Sequence, residues 1–135
     1  MSNLSTTQAI YEAFGRGDIP FILDQLADDV AWESWEDHSA QKAGVDHLAA
    51  RRGKAGAAEF FGIVGGWEIV DFQVLGLLDG GDRVGAEVVI EAKLPNGASL
   101  RDEELHLWIF DSAGKVGAFR HYVDTAKHTA AALGS

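Results

Sequence analysis

Ser99-Leu-Arg-Asp-Glu-Glu-Leu-His-Leu-Trp-Ile-Phe110, then Asp111-Ser-Ala-Gly114, then Val116-Gly-Ala-Phe-Arg-His-Tyr-Val123, reads as two strands around a tight turn. Side chains alternate along a strand, so Leu105, Leu107 and Ile109 oppose Glu104, His106, Trp108 and Phe110. In the second run Phe119, His121 and Val123 share one face, and Arg120 and Tyr122 share the other. The register decides what meets across the hairpin. If Phe110 pairs with Lys115, His121 faces Glu104; if Asp111 pairs with Val116, His121 faces His106. Either register gathers two imidazoles and a carboxylate beside Trp108 and Phe119.

Upstream, Trp67 to Leu78 and Arg83 to Leu94 are two further runs, bounded by Asp79-Gly-Gly-Asp82 and Pro95-Asn-Gly97. Turns of that chemistry imply sequential antiparallel hairpins. In the Arg83 run, Val84, Ala86, Val88, Ile90 and Ala92 make one apolar face against Arg83, Glu87, Val89, Glu91 and Lys93.

The N-terminal half is mainly helical. Leu4, Ala9, Ile10, Ala13 and Phe14 fall on one face of a helix from Asn3 to Phe14, stopped by Gly15 and Gly17. Asp18 caps a second helix with Pro20 in its first turn, which is expected to end near Ala27. Val30 to Ser34 reads as a strand, and Lys54 to Val64 as a third helix closed by Gly65-Gly66. Between them, Trp35 to Arg52 has neither period and reads as a long loop at the pocket mouth, with His38 and His47 solvated. Thr125 to Leu133 is a C-terminal helix capped by Asp124 and fraying into Gly134-Ser135. The order predicts an α+β fold, three helices laid on one curved antiparallel sheet. Three helices cover one side of such a sheet, so the face bearing Leu105, Leu107, Ile109 and Tyr122 is expected to meet a second copy in a homodimer.

With 135 residues, 47% of them hydrophobic and 24% charged, the chain fits one globular domain spanning 1–135. It has no cysteine, which excludes disulfides, thiol nucleophiles and cysteine-bound zinc. Eleven basic against twenty-one acidic side chains give a formal charge of −10, a poor match to nucleic acid or an anionic membrane. The first residues show neither a basic stretch nor an apolar run, so the expectation is a cytoplasmic protein binding a small apolar ligand.

Four segments carry a family resemblance across nearly the whole chain. They are Tyr11-Glu-Ala-Phe-Gly-Arg-Gly-Asp18, Leu26-Ala-Asp-Asp-Val-Ala-Trp32, Arg52-Gly-Lys-Ala-Gly56 and Gly114-Lys-Val-Gly-Ala-Phe-Arg-His-Tyr-Val-Asp-Thr125. Together they resemble the nuclear transport factor 2-like superfamily, particularly SnoaL-like polyketide cyclases and ketosteroid isomerase-related proteins. The resemblance implies a cone-shaped α+β barrel with three N-terminal helices. It does not select an activity, because the same cone hosts isomerases, cyclases, epoxide hydrolases, dehydratases and proteins that only bind or assemble.

Carried over residue by residue, the oxyanion-hole tyrosine of ketosteroid isomerase falls at Ile10 and its base aspartate at Ser34, so neither role is retained. Its protonated aspartate falls near His106. The Leu94-Pro-Asn-Gly97 and Arg120-His-Tyr-Val-Asp124 segments look similar to limonene epoxide hydrolase, whose strand arginine and aspartate fall at Glu87 and Val89 and whose base aspartate falls at His121. The SnoaL-like pattern of acid–base groups on the last two strands is approximated by His106 and His121.

His106, His121 and Glu104 are therefore the candidate catalytic residues, and Trp32, Ser34, Glu87, Trp108 and Phe119 the candidate ligand contacts. Histidine exchanges protons near neutrality, so this pair could enolise an apolar carbonyl compound without a cofactor, as a SnoaL-like isomerase, cyclase or lyase. The competing expectations are a non-catalytic binding protein of the same fold and a structural module with a plugged cone. A metal held by His106, His121 and Glu104 has no tight spacing motif behind it, and neither metal nor cofactor is expected.

Overall fold

The computed structural model describes residues 2–134. Helix α1 (Asn3–Gly15) is capped by the Ser2 hydroxyl, which accepts from the Ser5 amide; α2 (Ile19–Asp24) is capped by Asp18, with Pro20 in its first turn. Strand β1 (Leu26–Trp32) follows at once, then α3 (Ser39–Lys42), a 3-10 turn at Asp46–Leu48, β2 (Arg51–Arg52) and α4 (Gly53–Val64). Four strands complete the sheet: β3 (Glu68–Asp79), β4 (Arg83–Lys93), β5 (Ser99–Phe110) and β6 (Val116–Tyr122). Helix α5 (Thr125–Leu133) is capped by Asp124 and ends at Gly134, whose φ of 73° suits a residue without a Cβ; Ser135 lies outside the described residues.

The six strands form one sheet in the order β2-β1-β6-β5-β4-β3. Helix α1 crosses β3 and β4, α4 packs on β1 and α2, and α5 packs on β5 and α3. The inner face of β4 is the expected one, since Val84, Ala86, Val88, Ile90 and Ala92 are all buried.

Four expectations are corrected. The helices number five among the described residues rather than three on the sheet, the unexpected one being α3 inside the supposed loop, while α5 is the C-terminal helix expected from Thr125 to Leu133. Helix α2 stops at Asp24 because Leu26 pairs with Val116, a tertiary contact that overrides the helical spacing of Leu23 and Leu26. The sheet is not wholly antiparallel: β1 runs parallel to β6. Finally, the segment from Trp35 to Arg52 is tied down by buried Ala40, Val45 and Leu48, packed with Val123 and Ala132. His38 and His47 are buried rather than solvated, at 7% and 5% exposure, and the His38 ring accepts from the Gln41 amide to cap α3. Among the described residues, no helix is long and apolar enough to cross a membrane.

Candidate functional site

The register of the last hairpin places the two central histidines. Phe110 pairs with Val116, which differs from both registers read from the turn; continued straight, that pairing would set His121 opposite Leu105 on the outer face. Instead Gly117 is bulged out, pairing resumes at Ile109 and Ala118, and His121 faces His106 directly, as in the second of the two expected registers. One extra residue thus turns His121 inward. Their rings meet edge to face with centroids 4.7 Å apart, and Phe119 lies 4.4 Å from the His121 ring.

These side chains wall a cavity of about 70 Å³ between sheet and helices. Its lining is mostly aromatic: Trp32, Trp108 and Phe119 border it, with Phe119 stacked on Trp32 at 4.3 Å. Tyr11, His47, Glu104, His106, His121 and His128 supply its polar groups.

A hydrogen-bonded chain runs along one wall. The His106 ring has Nε2 2.9 Å from Glu104 Oε1 and Nδ1 2.6 Å from the Tyr11 hydroxyl, while Trp108 Nε1 donates to the same hydroxyl at 3.0 Å. Burial would push Glu104 upward, but hydrogen bonds from His106 and His128 outweigh it and hold its carboxyl well below the usual carboxylate range. Burial also lowers the His106 pKa, so the ring is neutral near pH 7, and burial pushes the Tyr11 phenol well above its ordinary value. These states fix the protons. An ionised carboxylate only accepts, so His106 donates from Nε2 to Glu104 and accepts at Nδ1 from the Tyr11 O–H.

Behind Glu104 lies His128 on α5. Its Nε2 is 2.8 Å from Glu104 Oε2 and 2.9 Å from Asp102 Oδ2, and its Nδ1 is 2.8 Å from His47 Nε2. Burial disfavours the charge on His128, but the two carboxylates outweigh it and raise its pKa to about 9. His47, pushed down to about 3 by burial and then by the neighbouring His128 and His121, is the neutral acceptor of that bond. Beside His106, His121 Nδ1 is hydrogen-bonded to Glu33 Oε1, and Glu33 is fully buried with Oε2 unpartnered among the described residues.

His106, His121 and Glu104 thus meet at one wall, as do the aromatic candidates. Two candidate contacts lie elsewhere. Glu87 is exposed on the opposite face of β4, where the strand's alternation carries it, and does not line the cavity. Ser34 is half-buried and accepts from Arg120 Nε at 3.1 Å, also outside the lining.

Four residues of this hydrogen-bonded network were not among the candidates read from the sequence: Tyr11, Glu33, His47 and His128. Tyr11 and Glu33 each sit one position from Ile10 and Ser34, where the alignment placed the isomerase tyrosine and base. Strict alternation sends Glu33 outward when Trp32 points inward. A left-handed backbone at Glu33, φ 64°, ends β1 and breaks that alternation. The one available signal was His128 on the amphipathic helix α5, spaced three residues from the buried Ala131.

A family model described as SnoaL-like domain matches residues 7–118. No curated protein matches the chain. Among solved structures, an NTF2-like protein of unknown function from Burkholderia pseudomallei K96243 is similar at 25% identity, covering 98% of each chain with a TM-score of 0.79. TerC, co-crystallized with polyporic acid, is 23% identical over 97% of this chain and 98% of its own, TM-score 0.76. The Delta 5-3-ketosteroid isomerase from a Mycobacterium species is 20% identical over 94% and 97%, TM-score 0.72.

Proposed function

The chain belongs to the SnoaL-like domain family, and on that premise we propose that its cone performs acid–base chemistry on a small, largely apolar carbonyl compound. The observation that carries this reading is the pairing of two differently wired histidines at one wall of an aromatic-lined cavity. Glu33 accepts from the His121 Nδ1–H, which leaves Nε2 as the atom that removes a proton from the substrate's α-carbon. The Tyr11 oxygen already accepts from Trp108, so its own proton is what it can give. Neutral His106 holds that proton at rest, and the developing oxyanion, the stronger acceptor, draws it during turnover. His121 then returns its proton at a second carbon, which completes an isomerisation with atoms balanced.

The test is deuterium exchange at the α-carbon of a panel of small cyclic ketones, followed by NMR. Wild-type protein is expected to exchange at least one of them above the buffer rate, and His106→Gln to lower that rate about 10²-fold. Ketone binding without exchange by wild type would replace this reading with that of a binding protein. That second reading has its own support, since both His106 nitrogens are already satisfied within the protein.

We also propose that the chain pairs with a second copy through the outer sheet face. Leu105, Leu107, Ile109 and Tyr122 are half-buried there. Leu78, 58% exposed, adjoins Leu105, because a Cβ at Gly85 would touch both at 3.6 Å. A contiguous apolar face of this kind suits an obligate interface. Sedimentation should show a dimer; a monomer persisting at roughly tens of micromolar protein would refute it.

A further inference from the structure

We propose that His106 Nε2, His121 Nε2 and Glu104 Oε1 form a binding site for one divalent first-row transition-metal ion, of the Zn²⁺ or Co²⁺ class, at the wall of the cavity. The inference goes beyond the acid–base reading of the same wall and rests on three observations. The first is geometric: one donor atom from each of the three residues lies within 4.8 Å of the other two, and all three residues are buried. Bonds of about 2.0–2.1 Å to a shared ion place its ligand atoms roughly 3–4 Å apart, so the cluster closes on an ion with side-chain shifts of about an ångström.

The second observation is the support behind each ligand. His121 is oriented through Nδ1 by Glu33, His106 through Nδ1 by Tyr11, and Glu104 through its second oxygen by His128. Metal-bound imidazoles characteristically use their far nitrogen in this way, which fixes the tautomer and the ring direction. With an ion on Nε2, the His106 proton moves to Nδ1 and is donated to the Tyr11 oxygen, and the Tyr11 O–H is released toward other acceptors.

The third observation is the excess of buried carboxylate. Glu33, Asp102 and Glu104 are 0%, 2% and 9% exposed, and no lysine or arginine joins them by hydrogen bond or ion pair among the described residues. Glu33 also keeps one fully buried oxygen without a partner among the described residues. A divalent ion beside these groups supplies compensating charge that burial makes valuable. Asp102, Glu104 and His128 form a second close group, which supplies one imidazole rather than two. Two imidazoles and one carboxylate, with the cavity on the open side, suit Zn²⁺, Co²⁺ or Fe²⁺ better than Mg²⁺ or Ca²⁺.

Occupancy and proton abstraction exclude each other, because an ion on His121 Nε2 removes the atom that accepts the substrate proton. The experiment titrates the chelator-treated 135-residue chain with Co²⁺. One equivalent is expected to bind at roughly micromolar Kd or tighter, with the intense visible bands of a four- or five-coordinate ion, and Zn²⁺ should displace it. His106→Gln and His121→Gln should each abolish those bands, and Glu33→Gln, which retains all three ligands, should weaken binding about 10–100-fold. Circular dichroism identifies any variant that fails to fold, and Glu33→Gln and His121→Gln give two independent routes to the answer. A pale six-coordinate spectrum, or unchanged binding in folded His121→Gln, would overturn the proposal. Ketone exchange by metal-free protein that binds no ion would remove the metal site and leave the acid–base reading intact. Tight binding by a protein whose metal-free form exchanges no ketone would do the reverse.

Discussion

Glu33→Gln is expected to lower ketone exchange by about 10³–10⁴-fold while the protein stays folded. The size follows from tautomer control. Glu33 is an acceptor, so it holds the proton of His121 on Nδ1 and leaves a lone pair on Nε2. A glutamine in its place can donate its amide N–H to Nδ1, which moves the ring proton to Nε2 and removes the base without moving the ring. Replacing the orienting carboxylate of a catalytic histidine by its amide costs about 10⁴-fold in the well-studied serine protease case for this reason. Three measurements separate this from a packing defect: the melting temperature, ketone affinity and pH–rate profile. Turnover should fall with affinity unchanged, and the limb of the profile that reports the base should shift. Full exchange by Glu33→Gln at neutral pH would show that Glu33 does not orient the base.

The second large effect is on stability, and it concerns His128. Its pKa is raised to about 9 in the folded chain, against an ordinary value near 6.5, by Asp102 and Glu104 acting against the cost of burial. A raised histidine pKa means that the folded state binds more protons than the unfolded state between those two values. The contribution is therefore complete below pH of about 6.5 and is lost as pH rises through about 9, amounting to about 3 kcal/mol. His47 acts in the opposite sense. Its depressed value, about 3, makes the unfolded chain the better proton acceptor between roughly pH 3 and 6.5, so acid destabilises the fold through it. Urea unfolding across pH should show a maximum near pH 6.5. His128→Gln should remove most of the alkaline limb and destabilise the neutral-pH protein by about 3–5 kcal/mol, because it leaves Asp102 and Glu104 facing each other without the cation. A wild-type profile flat between pH 7 and 10 would refute the assignment.

Much of the scaffold was legible because its determinants are local. Asp18 with Pro20, and Asp124 before Thr125, announce two helix starts that occur where those residues stand. The alternation from Val84 to Ala92 gives the buried face of β4, and the turn residues give four strands in sequence. Parity along β5 and β6 brought His106, Glu104, Trp108, Phe119 and His121 together on one face, and these residues do wall the cavity.

The wiring of the site was not legible, because it depends on exceptions to those periods. A single bulged residue, Gly117, sets His121 against His106, and nothing local distinguishes that register from its neighbours. The left-handed turn at Glu33 puts a carboxylate where alternation places an outward group. Tyr11 lies 95 residues from His106, and His47 lies 81 from His128, so each pair meets only when helices dock on the finished sheet. The α+β layering, the family and the inward face of the last two strands follow from local signals, since periodicity, caps and turns act within a few residues. The hydrogen-bond partners of the site histidines come from the tertiary fold, because the group at each far nitrogen is contributed by another element: Tyr11 for His106, Glu33 for His121 and His47 for His128.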